Sequence, residues 1–350
     1  MLRTVPSRTS DDAASSAPHE PLAPGIAAIS PTALLPKTRR PVLVTGMHRS
    51  GTTLLGDMLC AGGEFINIGE PLNVLYRQTI LRRRVKHWYT YITQANEGEY
   101  LPYYRDAISF KAHPIHDIMR ARLGSPRDPI RIPRQWMSFL LGRVEDRRVL
   151  IKDPFAIFSI AWFVTRLHCH VVVIVRHPVA VVSSLKRLGL TFDFNDLLHQ
   201  PLLMADHLDP FRPEIEAAAS RPDDIIGQGA LLWRIIYANI DKNRGSELFQ
   251  LVRHEELSRN PVGEFASLFE NLGQPFTEAA RRRIERTTCN QNPSEVPKRR
   301  PFGTARLDSR ANLENWRHRL SPAEVDRILN LVEPIAERFY PDFRMDGNQA

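Results

Sequence analysis

The stretch Pro41–Thr53, PVLVTGMHRSGTT, constrains the fold more than any other part of the chain. A short apolar run from Pro41 to Thr45 stops at Gly46, crosses a polar turn and enters an amphipathic segment, TTLLGDMLC, near Thr52. That order predicts a strand, a loop and a helix N-terminus. In such a unit the loop's backbone N–H groups and the positive end of the helix converge on one anion. A phosphate-like group belongs there.

Gly46, four intervening residues, Gly51 and then two hydroxyl residues reproduce the P-loop spacing G-x-x-x-x-G-K-[ST], with Thr52 in the lysine position. In a nucleoside triphosphatase that lysine reaches the β- and γ-phosphates and the next hydroxyl holds magnesium. Thr52 therefore argues against ATP hydrolysis. Arg49 stands two residues before Gly51 and, with Ser50, Thr52 and Thr53, offers a fork of donors to a compact anion, with no need of a metal bridge.

The chain's 350 residues, 43% of them apolar, suffice for one large α/β domain with peripheral helices. A formal net charge of +8 and a pI near 9.6 favour anionic ligands in general. Cys60, Cys169 and Cys289 lack pairing or metal-ligand spacing and read as buried thiols of a reducing compartment. Residues 1–40, rich in Pro, Ser and Ala and without a periodic apolar face, predict a disordered tail. No apolar core of signal-peptide length occurs in them, and Asp11, Asp12 and Glu20 argue against an organellar presequence. The apolar stretch Phe155–Val175 is broken by Arg166, His168 and His170 and does not suit a membrane span. The expectation is a soluble, cytoplasmic chain.

After the loop, the helix from Thr52 is expected to run to about Ala61, where Gly62 and Gly63 supply a break and a left-handed cap. Phe65–Ile68 reads as a short strand. Glu70, in Gly69-Glu70-Pro71 just past that strand, either faces the crevice where parallel α/β sheets bind ligands or caps a helix beginning near Pro71. Residues 72–147 read as long helical segments carrying Arg82, Arg83, Arg84 and Lys86 among His87, Trp88, Tyr89 and Tyr91. This cluster suits an acceptor of sugar or nucleic-acid character, or else a solvated face with ordinary aromatic packing.

Val149–Ile151 reads as a strand that delivers Lys152, Asp153 and Pro154 to the same sheet edge as the 46–53 loop. Lys152 is either an active-edge cation or a surface lysine paired with Asp153. Val171–Val175, an unbroken β-branched run, is the clearest strand and suits a position covered on both faces. It delivers Arg176, His177 and Pro178 to a helix, with Ser184 about two turns along it. An arginine from the strand end and a hydroxyl from the helix can grip one phosphate from two sides.

RSGTT, GEP, the KDP strand end and the arginine-led RHP turn with its downstream serines together resemble the PAPS-dependent sulfotransferases. The branch containing Golgi, protein-tyrosine and many bacterial enzymes is the most similar. The resemblance covers roughly residues 41–345, more weakly over 72–147, and leaves 346–350 as a C-terminal tail. It implies a P-loop-like three-layer α/β fold with a central parallel sheet flanked by helices. It also implies PAPS (3′-phosphoadenylyl sulfate) as co-substrate, no metal, and no nucleic-acid partner. By this resemblance Arg49, Ser50, Gly51, Thr52 and Thr53 hold the 5′-phosphosulfate, while Arg176 and Ser184 hold the 3′-phosphate. Glu70 is then the general base, and Lys152 assists transfer together with Arg49. The acceptor is a hydroxyl on a glycan, a tyrosine-containing peptide or a small metabolite, with 72–147 as the helical acceptor-binding region. His48 stands where relatives often have proline, and His177 where aspartate is common.

Farther on, Leu248–Val252 reads as the last strand, the following RHEEL as scaffold, and Trp233, in an apolar helix, either as a core side chain or as one that approaches the adenine, with core preferred. Lys298, Arg299 and Arg300 form a basic loop, and Ser321-Pro322-Ala323-Glu324 forms a capping box that opens the last helix. Two other readings compete. A P-loop nucleotide kinase or ATPase calls for a lysine at position 52 and a magnesium-holding acid, which Asp153 imitates. A non-catalytic nucleic-acid binder explains the basic charge but leaves Glu70, Arg176 and Ser184 without purpose.

Overall fold

The computed structural model describes residues 36, 39–75, 80–81, 84–115, 128–295 and 305–341. The chain divides into Met1–Ala33, which lies outside the described residues, and Leu34–Ala350, to which everything below belongs. Most of the tail expected over 1–40 is outside them, as are the expected C-terminal tail at 346–350, Arg82, Arg83 and the basic Lys298–Arg300.

Side-chain alternation along the strands sets the layers. Strand β1 (Val42–Gly46) pairs in parallel with β3 (Arg148–Lys152) on one side and β4 (His170–Val175) on the other. Strand β2 (Phe65–Asn67) joins β3, and β5 (Gln250–Arg253) joins β4, giving a parallel five-stranded sheet in the order β2-β3-β1-β4-β5. Val42 and Val44 of β1, with Val172 and Ile174 of β4, join a core with α1 (Thr52–Leu59), the helix Pro261–Asn271 and the helix Glu278–Thr288. Their neighbours Leu43, Val171, Val173 and Val175 join the opposite core. There the cover includes the helices Pro178–Leu188, Ile225–Lys242 and Pro322–Phe339. Both faces are thus buried, as the unbroken β4 run requires. The result is the expected three-layer fold, with β1 central and its C-terminal end opening into the glycine-bounded loop. The last helix opens with the expected capping box between Ser321 and Glu324.

Some boundaries differ from the sequence expectation. The α-helical part of α1 ends at Leu59, and a tighter turn over Cys60–Gly62 carries the chain to Gly63 at φ 91°. Strand β2 is one residue short of Ile68, although Ile68 still donates its N–H to Leu150 O. Strand β5 is displaced two residues at its start, to Gln250. Of the three thiols only Cys169 is fully buried; Cys60 and Cys289 are half-buried.

The larger correction falls in 72–147. Its described helices include a 3₁₀ turn at Glu97–Glu99, α2 (Leu101–Ile108) and α3 (Asp128–Val144), while 84–96 is irregular. Side chains elsewhere take the backbone donors that a helix would have used. Tyr91 N–H binds Gln200 Oε1 at 3.0 Å, and Ile92 N–H binds Ser159 Oγ at 2.9 Å. Tyr89 sits in the left-handed region at φ 54°, which an α-helix excludes.

Candidate active site

The loop between β1 and α1 is held open by its glycines. A Cβ on Gly46 (φ 150°) would lie 2.3 Å from Ile174 O, and one on Gly51 (φ 105°) 2.7 Å from the His254 ring. Arg49 itself is left-handed at φ 73°, the kind of strained backbone that packing around a ligand loop sustains. Ser50 is fully buried and donates its N–H to Met47 O at 3.1 Å, closing the turn. Among the described residues no side chain caps α1, so its first N–H groups face the loop.

Strand β4 ends beside this loop and projects Arg176 across it. One Arg176 Nη donates to Arg49 O at 3.1 Å and the other to Asn312 Oδ1 at 3.3 Å. Arg49 Nε donates to Ser184 Oγ at 3.1 Å from the helix after β4. The two sequence motifs therefore meet. They line a cavity of about 150 Å³ that takes in Arg49, Gly51, Thr52, Thr53, Arg176 and Ser184, with Ser50 behind its wall.

The same cavity holds residues that the sequence reading did not single out. Arg187 follows Ser184 by three positions on one helix, a spacing that itself places both on one face. His254 comes directly after β5, at the sheet edge where ligands gather, although RHEEL had read as scaffold. Glu255 does fill that scaffold role: it accepts from His177 N–H at 2.9 Å and from Tyr340 Oη at 3.2 Å. Burial and the nearby Arg176 hold His254 well below the usual imidazole range, so its ring is neutral. Asn312 and Arg319 come from a segment without any pattern that announces them. Glu295 accepts from Arg319 Nε at 3.0 Å and lies 3.2 Å from Arg187, and Arg319 first of all holds its carboxyl below the usual range.

Glu70 and Lys152 meet each other elsewhere and do not line the arginine cavity. Lys152 Nζ donates to Glu70 Oε1, and Asn73 Nδ2 donates to Oε2 at 2.5 Å. The pair is largely buried, with side-chain exposures of 11% and 14%, so Lys152 is no surface lysine. Its stem passes α1 where Gly56 leaves room: a Cβ there would stand 2.9 Å from Lys152 Cγ. Nor does Lys152 pair with Asp153. That buried carboxylate accepts Leu72 N–H at 2.6 Å and Phe155 N–H at 3.0 Å, and burial pushes its pKa up to about 8. Pro71 begins a turn closed by Asn73 N–H to Glu70 O at 3.2 Å, so Glu70 caps no helix.

His48, which carried no role in the sequence, ties the loop to the irregular 84–96 segment. Its Nδ1 lies 2.6 Å from the hydroxyl of fully buried Tyr89. Burial first, and then Arg49, lower its pKa to about 4. Trp88 packs on Phe155 with ring centroids 4.4 Å apart. Tyr89 joins its hydrogen bond with His48 to edge-on packing against Phe155, Phe158 and Phe192.

A family profile described as "Sulfotransferase family" matches residues 41–278, about two thirds of the chain. Carbohydrate sulfotransferase 1 of Danio rerio is 28% identical over 200 residues, covering 56% of this chain and 41% of that protein. The match thus spans well under half of that relative's length. Among solved structures, the sulfotransferase domain from the curacin biosynthetic pathway is 14% identical, with 84% of this chain and 98% of that one covered and a TM-score of 0.43. Mouse sulfotransferase SULT7A1 complexed with PAP is 11% identical, with 88% and 87% covered and a TM-score of 0.42. On the extent of the profile match, and with the glycine-bounded loop inside it, the chain belongs to the sulfotransferase family.

Proposed function

We propose that this chain moves a sulfuryl group from PAPS to a hydroxyl acceptor by in-line displacement, with Glu70 as general base. The observation that carries the reading is the charge of the cavity: Arg49, Arg176, Arg187 and Arg319 line it, and none of its described lining residues is acidic. Such a lining suits a ligand with two separated anionic groups better than a single compact anion.

The residues fit PAPS on independent grounds. Arg176 Nε is buried with no protein partner among the described residues, a donor that a ligand oxygen would satisfy. The uncapped start of α1 supplies further N–H groups. Arg49, Gly51, Thr52 and Thr53 would hold the 5′-phosphosulfate, with Ser50 fixing the turn, and Arg176 with Ser184 would hold the 3′-phosphate. PAPS supplies an activated sulfuryl group when bound. Glu70 takes the acceptor proton, Lys152 and Asn73 hold its carboxylate in place, and Arg49 and Lys152 stabilise charge on the bridging and leaving oxygens.

The acceptor is a glycan, a tyrosine-containing peptide or a small hydroxylated metabolite. Similarity to a carbohydrate sulfotransferase puts glycans first in a screen. The test is transfer of labelled sulfate from PAPS, in chelator, to a panel of these acceptors. Transfer by the wild type that Glu70→Ala abolishes while keeping PAP affinity is the expected result. Undiminished turnover by Glu70→Ala would remove Glu70 from the mechanism.

A further inference from the structure

Resting on that reading, the geometry points to Trp233 and Tyr237 as positioning residues that aim the Arg176 guanidinium into the ligand cavity. Arg176 is the first residue past the β4 ladder, whose last pair is Val175 with Arg253. Its backbone N–H and C=O are therefore released by the sheet while still buried, and buried backbone groups require partners. Both partners come from the helix Ile225–Lys242. The Tyr237 hydroxyl accepts Arg176 N–H at 2.5 Å and donates to Arg176 O at 2.8 Å. Trp233 Nε1 donates to the same carbonyl at 3.0 Å.

One phenol thus closes on both backbone groups of a single residue, and the indole fills the second lone pair of its carbonyl. Trp233 and Tyr237 are both fully buried, and their rings stack with centroids 3.7 Å apart, so neither partner is free to drift. Burial pushes the Tyr237 phenol up, which keeps its proton on the oxygen for donation. With the backbone of Arg176 fixed, its side chain leaves the strand in one direction. Nη1 and Nη2 are then anchored on Arg49 O and Asn312 Oδ1, while Nε has no protein partner among the described residues. Neither Trp233 nor Tyr237 lines the cavity, so their influence on a ligand runs through Arg176. The spacing of the two, one helical turn apart, places both on the face toward β4.

Titration calorimetry with PAP and with adenosine 5′-monophosphate separates positioning from plain structure, because the two nucleotides differ only in the 3′-phosphate. The wild type is expected to bind PAP more tightly. Tyr237→Phe keeps the ring and removes the hydroxyl; it is expected to weaken PAP roughly tenfold and leave the monophosphate within twofold. In an Arg176→Ala background the same change is expected to add nothing for PAP. Trp233→Phe, which leaves Tyr237 in place, is expected to show the same selectivity with a smaller loss and serves if Tyr237→Phe does not fold. An equal loss for both nucleotides, or no loss for PAP, overturns the positioning role. If the wild type itself does not discriminate between the two, the 3′-phosphate reading on which it rests fails instead.

Discussion

The arginine cavity and the Glu70–Lys152 corner lie on one parallel sheet, yet they manage charge in opposite ways. The cavity gathers four arginines around a described lining without acids, and Glu295 serves Arg187 and Arg319 from outside that lining. In the corner, Lys152 and Asn73 donate to the Glu70 oxygens, and backbone N–H groups donate to those of Asp153. The cavity thus carries an excess of positive charge, whereas the corner pairs opposite charges. On the reading proposed above, binding falls to the β1–β4 side of the sheet's edge and proton transfer to the β2–β3 side.

Substitutions sharpen that division, beginning with the largest effect. Glu70→Ala is expected to lower kcat by about 10²–10⁴-fold, the usual worth of a general base, with the PAP dissociation constant nearly unchanged. Loss of PAP binding in that variant would merge the two regions. Arg176→Ala is expected to do the reverse, weakening PAP by about 10–100-fold for a buried charged hydrogen-bonding partner, as read by calorimetry. Gly51→Ala is expected to destabilise the fold by about 1–3 kcal/mol, because it sets a Cβ at φ 105° and against the His254 ring. A lowered unfolding midpoint in denaturant reports it.

The last effect is in pH. His254 lies in the cavity and His48 at the loop's other flank, and both are held below the usual 6.5, His48 at about 4. As pH falls below 6.5 the unfolded chain takes up protons that the native chain refuses. The stability from this source is therefore complete above 6.5 and is lost as pH drops toward 4. Each histidine contributes a slope of up to about 1.4 kcal/mol per pH unit. Asp153, raised to about 8, contributes with the opposite sign over the same range. The check is therefore the difference between wild type and His48→Gln in denaturant midpoints from pH 7 to 4.5, where the variant is expected to lose less stability on acidification.

Much of this architecture was legible because local patterns and tertiary contacts agree. Gly46 and Gly51 announce the loop, the β-branched run announces β4, and strand ends at Lys152 and Arg176 fall on the same edge as the loop because all the strands are parallel. Arg49 and Ser184 are 135 residues apart in sequence, yet they meet because each follows a strand adjacent in the sheet. What stayed hidden depends on contacts that no local spacing encodes. Asn312 and Arg319 reach the cavity from a segment of irregular and 3₁₀ structure. The irregular course of 84–96 is set by Gln200 and Ser159, far along the chain. Trp233 reads as core and is core, but its indole N–H is also spent on Arg176, which only the fold reveals.

The most direct test of the account is calorimetric titration of the wild-type protein with PAP in chelator, set against ATP with and without magnesium. PAP is expected to bind without magnesium and more tightly than ATP under both conditions. Magnesium-dependent ATP binding with no heat from PAP would contradict it.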